Sequence, residues 1–340
     1  MKYRSLFCAV LRAALLTTSA LASGGLISPA PVSPAPAGDY TIETDSQFPI
    51  RVWGAASAPD QDRIELKNDD ESDPYNHIVL SVDGDTLILD AVTGAAAALA
   101  DIKEGDALYA YVGPAMTRSM PPIAHASLIL CNIPADYAAP TWAEVLGVTE
   151  KEDGSRSVLM SGDVVLHLNA DTEYLPGPGM PSEGPAVIVP GTRLLAWYSV
   201  VALSMPAQAT PDKVMVFSSP YGGWIDLSGE GVSLNGSALS LNARQQPFAL
   251  DGRLMLPVRA VAEALGCTVV WDPANPGQVA VERSGERLYA FSLDGGTVTV
   301  EGDMVMSLAH KPVSMNGVTF LAAEDVIRVH NLKLSQTAPF

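Results

Sequence analysis

The stretch VLSVDGDTLILD, beginning at Val79, returns 86 residues later as VLHLNADTEYLP, beginning at Val165. Leu80 aligns with Leu166, Asp85 with Asp171, Thr86 with Thr172 and Leu89 with Leu175. The spacing persists downstream, where Gly105, Leu108 and Ala110 align with Gly191, Leu194 and Ala196. After a gap of one residue, Ser119-Met120-Pro121 aligns with Ser204-Met205-Pro206. A match held across so many turns and apolar positions implies two copies of one folding unit. We place them at residues 48–133 and 142–218. Each copy is rich in short alternating runs separated by Gly, Pro, Asp and Asn. In the first they are Arg63–Leu66, Ile78–Val82, Ala107–Val112 and Ser127–Cys131. In the second they are Val158–Met160, Val164–Leu168, Leu194–Val200 and Lys213–Phe217. Several short strands without a long helix predict a small closed barrel or a sandwich. The size of each copy suits an oligonucleotide/oligosaccharide-binding (OB)-like barrel.

A third unit spans 231–335 and has its own internal echo. Asn235-Gly236 corresponds to Glu301-Gly302, and Asp251-Gly252 to Asn316-Gly317. Its best-formed stretch is DGRLMLPVRAVAEALGCTVVWD, Asp251 to Asp272. Asp-Gly marks a turn, and Leu254, Met255 and Leu256 a strand. Pro257 suits a first helical position. Val258, Val261, Ala262 and Leu265 lie on one helical face, with Arg259 and Glu263 an outward i,i+4 pair. Gly266 fits the left-handed position that ends a helix, and Val269 and Trp271 belong to the next strand. Further strands are expected at Gln278–Arg283, Arg287–Leu293 and Thr297–Val300. Strand, strand, helix, repeated twice, predicts an α+β unit with its helices on one face. The fold class expected for the chain is therefore mainly β, with two repeated barrels or sandwiches followed by an α+β domain.

The N-terminal MKYRSLFCAVLRAALLTTSALASGG has the pattern of an export signal over residues 1–22. Lys2 and Arg4 supply positive charge, Ala13 to Leu21 a short apolar segment, and Ala20-Leu21-Ala22 a small-x-small cleavage site. Residues 23–40, rich in Pro, Ala and Ser, read as an extended spacer. The 340-residue chain carries a net charge of −18, which becomes −21 once Lys2, Arg4 and Arg12 are removed. Such an acidic surface repels nucleic acid and anionic lipid. No segment is long and apolar enough for a membrane-spanning helix. Cys8 lies in the signal, and Cys131 and Cys267 read as two buried thiols.

Leu256-Pro257-Val258-Arg259, Ala264-Leu265-Gly266 and Trp271-Asp272 together resemble the core motif of the copper amine oxidase-like N-terminal, or stalk, domain. In the second half Phe320-Leu321-Ala322-Ala323-Glu324 replaces the proline and arginine. The 48–218 repeats, with AMTRSMPP from Ala115, resemble a module that accompanies such stalks in exported proteins of Gram-positive bacteria. The family's copper centre and quinone lie outside the stalk. The resemblance therefore implies an accessory or adhesive role, with no catalytic residues, cofactor or metal. His77, His125, His167, His310 and His330 show no close ligand spacing.

The candidate ligand site is Thr117, Arg118 and Ser119, in the loop that the second copy shortens to VALSMPA. Arg259 is expected to pair with a carboxylate such as Asp251 or Asp272, and Trp271 to pack on the helix. The acidic loop with Asp69, Asp70, Glu71 and Asp73 reads as a solvated hairpin loop rather than a calcium site. The Gly-rich stretch from Gly177 is a loop, and Met304 and Met306 read as core. The expected function is non-catalytic binding at the cell envelope, to a cell-wall polymer or an envelope protein. The alternative is an envelope hydrolase or amidase with a site between the β domains.

Overall fold

The computed structural model describes residues 40–42, 48–57, 59–60, 62–178, 187–227, 231–271 and 277–336. The signal pattern, residues 23–39 of the spacer, most of the Gly177 loop and Asp272 lie outside them. The described residues form two units: 48–219, and 220–336 together with 40–42.

The first barrel has strands β1 (Ile50–Ser57), β2 (Arg63–Lys67), β3 (His77–Ser81), β4 (Leu87–Asp90), β5 (Ala107–Met116) and β6 (Ile123–Cys131). β1 pairs antiparallel with β2 and β5, β2 with β3, and β5 with β6. A parallel β3–β6 ladder closes the ring, and β4 lies parallel along β6. This is the connectivity of a five-stranded Greek-key barrel with one added strand. Alternation drives it: in β2, Ile64 and Leu66 point inward while Arg63, Glu65 and Lys67 point outward. Ile64, Leu66, Ile78, Leu80, Leu108 and Ile129 fill the interior.

The second barrel repeats this register. Its strands are β7 (Thr141–Glu150), β8 (Arg156–Met160), β9 (Val164–Leu168), β10 (Glu173–Pro176), β11 (Arg193–Trp197), β12 (Val201–Ala202), β13 (Ala207–Ala209) and β14 (Lys213–Phe217). The run expected to continue from Leu194 to Val200 is broken between β11 and β12. Leu80 pairs with Ala124, and its counterpart Leu166 with Ala209. Leu89 pairs with Leu130, and its counterpart Leu175 with Met215. In the opening strands Trp53 faces Tyr109 while Trp142 faces Leu195, so the two tryptophans occupy the same register position.

The barrels turn the same face toward each other. Leu89, Tyr111, Leu128 and Leu130 of the first join Trp142, Leu195, Trp197, Met215 and Phe217 of the second in one buried cluster. The counterparts Tyr111 and Trp197 each bond to the opposite barrel's main chain. The Tyr111 hydroxyl accepts the Trp142 N–H at 2.7 Å, and Trp197 Nε1 donates to the Ala91 carbonyl at 2.7 Å. Gly94 sits where the approach is closest: an added Cβ would lie 2.9 Å from Met215 Cε, and its φ is +79°. Counterpart residues thus enter one shared interface, but the pairs are not reciprocal: Tyr111 meets Trp142, whereas Trp197 meets Ala91 and not Trp53.

The second unit contains β15 (Gly223–Asp226), β16 (Ser233–Leu234), β17 (Ser237–Ala238), β18 (Phe248–Leu250), β19 (Arg253–Pro257), α1 (Val258–Ala264) and β20 (Thr268–Trp271). After these come β21 (Gln278–Arg283), β22 (Glu286–Ser292), β23 (Thr297–Val300), β24 (Met304–Ser307), β25 (Val313–Met315), β26 (Val318–Ala322), α2 (Ala323–Val329) and β27 (Leu332–Leu334). Three small sheets run β17-β16-β15-β27, β18-β19-β26-β25 and β20-β21-β22-β23-β24. The two halves match turn for turn. Asp251 and Gly252 have φ of 51° and 75°, and Asn316 and Gly317 of 52° and 78°. These are the conformations that a two-residue hairpin turn requires. Gly266 ends α1 at φ 75°, and Asn331 ends α2 at φ 49°. Val258, Val261 and Ala262 are buried as expected, and Leu265 is half-buried. Tyr40 and Ile42 pack into this same core, so the end of the expected spacer belongs to the fold.

Three expectations fail here. Pro257 caps α1 instead of opening it, because it is still paired with Phe320 across the sheet. Trp271 does not pack on the helix and is 54% exposed. α1 has seven residues, a length of roughly 10 Å, and Trp271 is the last residue of β20, an edge strand. Met304 is exposed, and only Met306 reaches the core.

Candidate functional site

Thr117, Arg118 and Ser119 stand at the tip of the β5–β6 hairpin, and all three are exposed. Two of them spend their polar groups on the tip itself. The hydroxyls of Thr117 and Ser119 share a hydrogen bond of 2.7 Å. Ser119 donates to the Pro121 carbonyl at 2.7 Å, and the Ile123 N–H donates to Thr117 Oγ1 at 2.8 Å. In the second barrel Ser204 donates to the Pro206 carbonyl at 2.6 Å in the same way. Both Met120-Pro121 and Met205-Pro206 are cis. The shared Ser-Met-Pro thus braces a turn, and Arg118 is the residue that distinguishes the first tip. It makes no hydrogen bond or ion pair among the described residues. It lines an open cleft of about 470 Å³ with Asn76, His77, Met120 and Pro121.

His77 connects this cleft to a polar row on the outside of β2 and β3. His77 Nε2 meets Glu65 Oε1, Lys67 Nζ lies 3.1 Å from the same oxygen, and Ser57 donates to Glu65 Oε2 at 3.1 Å. The bond from His77, then that from Lys67, lowers the Glu65 carboxyl to about 2. Further along the same outer face Trp53 is 42% exposed beside Tyr109. The Arg51 guanidinium lies 4.1 Å from the Tyr109 ring centroid. The sequence reading missed this group, since one outward aromatic among alternating residues carries no mark of its surroundings.

The acidic hairpin loop satisfies itself. Asp70 accepts from the Ser72 N–H and hydroxyl, and Asp73 from the Tyr75 N–H and the Asn68 side chain. Among the described residues no three His, Cys, Asp or Glu side chains gather as metal ligands. The surfaces between the barrels, considered for an enzymatic site, are the packed aromatic interface. Cys131 and Cys267 are unpaired and buried, and burial pushes the Cys131 thiol up to about 11.

In the second unit Arg259 pairs with Glu263 at 3.3 Å and donates to the Val269 carbonyl at 3.2 Å. It does not pair with Asp251, which approaches His310 at 3.3 Å. The buried polar groups all lie on or beside α2. Glu324 pairs with Arg253. Asp325 accepts the Ala309 N–H with both oxygens, at 3.1 and 2.9 Å, and Arg328 at 2.6 Å. Burial raises its pKa. His330 shares a 2.9 Å hydrogen bond with Tyr289, and burial lowers its pKa to about 4. These groups tie α2 to its surroundings.

A pair of packed, repeated small barrels in one unit and an internally duplicated α+β domain in the other is the class that the fold defines. Residues 233–338 match the model of the copper amine oxidase N-terminal domain. This is a non-catalytic, stalk-type domain. No curated protein and no solved structure matches the chain.

Proposed function

We propose that the chain is an exported, non-catalytic binding and structural protein of the cell envelope. Its barrel unit engages a wall polymer or an envelope protein, and the stalk-type domain serves as scaffold. The observation that carries this reading is the match of 233–338 to a domain that stands apart from catalysis in its own family. The positive, apolar, Ala-x-Ala pattern of residues 1–22 supports export. On the barrel unit, the unpaired Arg118 beside the open cleft is the contact we assign to ligand.

Purified cell walls incubated with the full chain test the reading. Retention is expected, with weaker retention for Arg118→Ala. A chain that stays wholly in the supernatant overturns the binding role. Export is tested by the mass of protein secreted from a host bearing the gene. An intact Met1 in that protein contradicts it.

A further inference from the structure

We propose that the outer face of the first barrel around Trp53 binds a pyranose ring of an uncharged glycan strand. This rests on the reading of the barrel unit as a binding module and names its ligand class. Trp53 and Tyr109 stand directly opposite on β1 and β5, with ring centroids 6.5 Å apart and planes inclined by 33°. Trp53, 42% exposed, supplies the open ring of a shallow shelf, flanked by Tyr109 with the Arg51 guanidinium over its ring at 4.1 Å. The C–H-rich face of a pyranose stacks on such a shelf, because aromatic faces are electron-rich and attract polarised hydrogens. Ala55 and Ala107, the next outward pair, are both exposed and extend the shelf without obstruction. Beside Ala55 comes Lys67 and then His77, so hydroxyl-binding groups border the shelf on one side.

The shelf is held rigidly. Asn68 Nδ2 donates to the Trp53 carbonyl at 2.9 Å. At Gly54 an added Cβ would lie 2.6 Å from the Lys67 carbonyl oxygen, so the β1 and β2 backbones approach there without room for a side chain. A neutral strand fits better than a polyanion because the four carboxylates Asp69, Asp70, Glu71 and Asp73 of the β2–β3 loop outnumber the bordering cations Arg51 and Lys67. A protein partner fits poorly. Stable protein interfaces cover roughly 800 Å² on each side, whereas the apolar part here is the Trp53 ring, the part of Tyr109 that Arg51 leaves open and two alanines.

The test is calorimetric titration of the full chain with N-acetylchitotetraose, cellotetraose and tetragalacturonate. At least one neutral tetrasaccharide is expected to bind and the acidic one to bind more weakly. Trp53→Ala is expected to weaken the neutral ligand by about tenfold or more. Ala55→Arg keeps both rings and obstructs them, and is expected to weaken binding with an unchanged melting temperature. Native-like affinity in both variants overturns the site, as does tighter binding of the acidic oligomer. Wall retention that persists in both variants overturns this site while leaving the binding role standing. A native chain that binds neither walls nor any tetrasaccharide overturns both.

Discussion

Trp53 and Trp142 occupy the same register position in two copies of one barrel, yet one is 42% exposed and the other 4%. The difference lies in what covers them. Trp142 meets Tyr111 at 5.4 Å and Phe217 at 5.7 Å, edge to face, and Phe48 at 5.0 Å. Trp53 has Tyr109 at its side and solvent above. The second duplication diverges in the same way. Arg259 on α1 is exposed, while its counterpart Glu324 on α2 is buried against Arg253. Leu265 is half-buried, while its counterpart His330 is enclosed and bonded to Tyr289. In each case the backbone repeats and the side chain specialises. Fold is therefore carried by turns and alternation, and individuality by which face gains a neighbour.

The sharpest way to break the first comparison is to truncate both tryptophans. Trp142→Ala should cost about 3–5 kcal/mol, since a large buried ring leaves a cavity. Trp53→Ala should stay within about 1 kcal/mol. Chemical denaturation of the two variants measures this, and equal costs would show that register position, not covering, decides.

The comparison of Leu265 with His330 is sharpened by pH. Burial holds His330 neutral in the fold down to about pH 4, while the unfolded chain takes up that proton below its ordinary 6.5. Stability of the stalk-type unit is thus fully retained above about pH 6.5 and falls as pH drops toward 4. The loss from this group is about 3 kcal/mol. Asp325 acts in the opposite sense: with its pKa raised, its carboxyl protonates first in the fold, which restores stability as pH falls through that raised pKa. Hydrogen exchange of residues 277–336 at pH 7 and 4.5 reads the sum, and His330→Asn should flatten the slope.

Smaller effects are expected on α1. Leu265→Ala should cost about 1–3 kcal/mol, below the value for a fully enclosed leucine, because part of the side chain already meets water. Arg259→Ala should change stability by about 0–1 kcal/mol, as for an exposed i,i+4 pair. Denaturant midpoints of the two variants fix the ranking, and a larger loss for Arg259→Ala would reverse the assignment of its face.

Much of the fold was legible because its signals are local. Asp251-Gly252, Asn316-Gly317 and Gly266 announce their turns by residue type, and β2 announces its inner face by strict alternation. The barrel interface was legible only as an irregularity. Ala126–Cys131, Arg193–Trp197 and Lys213–Phe217 lose alternation and are buried on nearly every residue. Strands covered on both faces read as continuous apolar runs. Such a run cannot say what does the covering, which is why the second face went unassigned. Trp271 was misjudged because the reach of a short helix over an edge strand is a matter of length and position in the sheet. At the candidate tip, the sequence located Thr117, Arg118 and Ser119. It could not separate hydroxyls that brace a turn from a guanidinium left free, because hydrogen bonds two to six residues apart depend on the loop's path.

The packed face shared by the two barrels has a consequence for how the molecule behaves on dilution. In a dimer of separate chains such a face opens as concentration falls, since association must overcome lost translational freedom. Here the connection between Cys131 and Thr141 keeps the partner at a fixed effective concentration, in the millimolar range for short flexible linkers. The pair stays closed however dilute the protein becomes, and its melting temperature carries no concentration dependence from this contact. A chain released into a large extracellular volume would keep its paired barrels where a dissociable dimer would lose them.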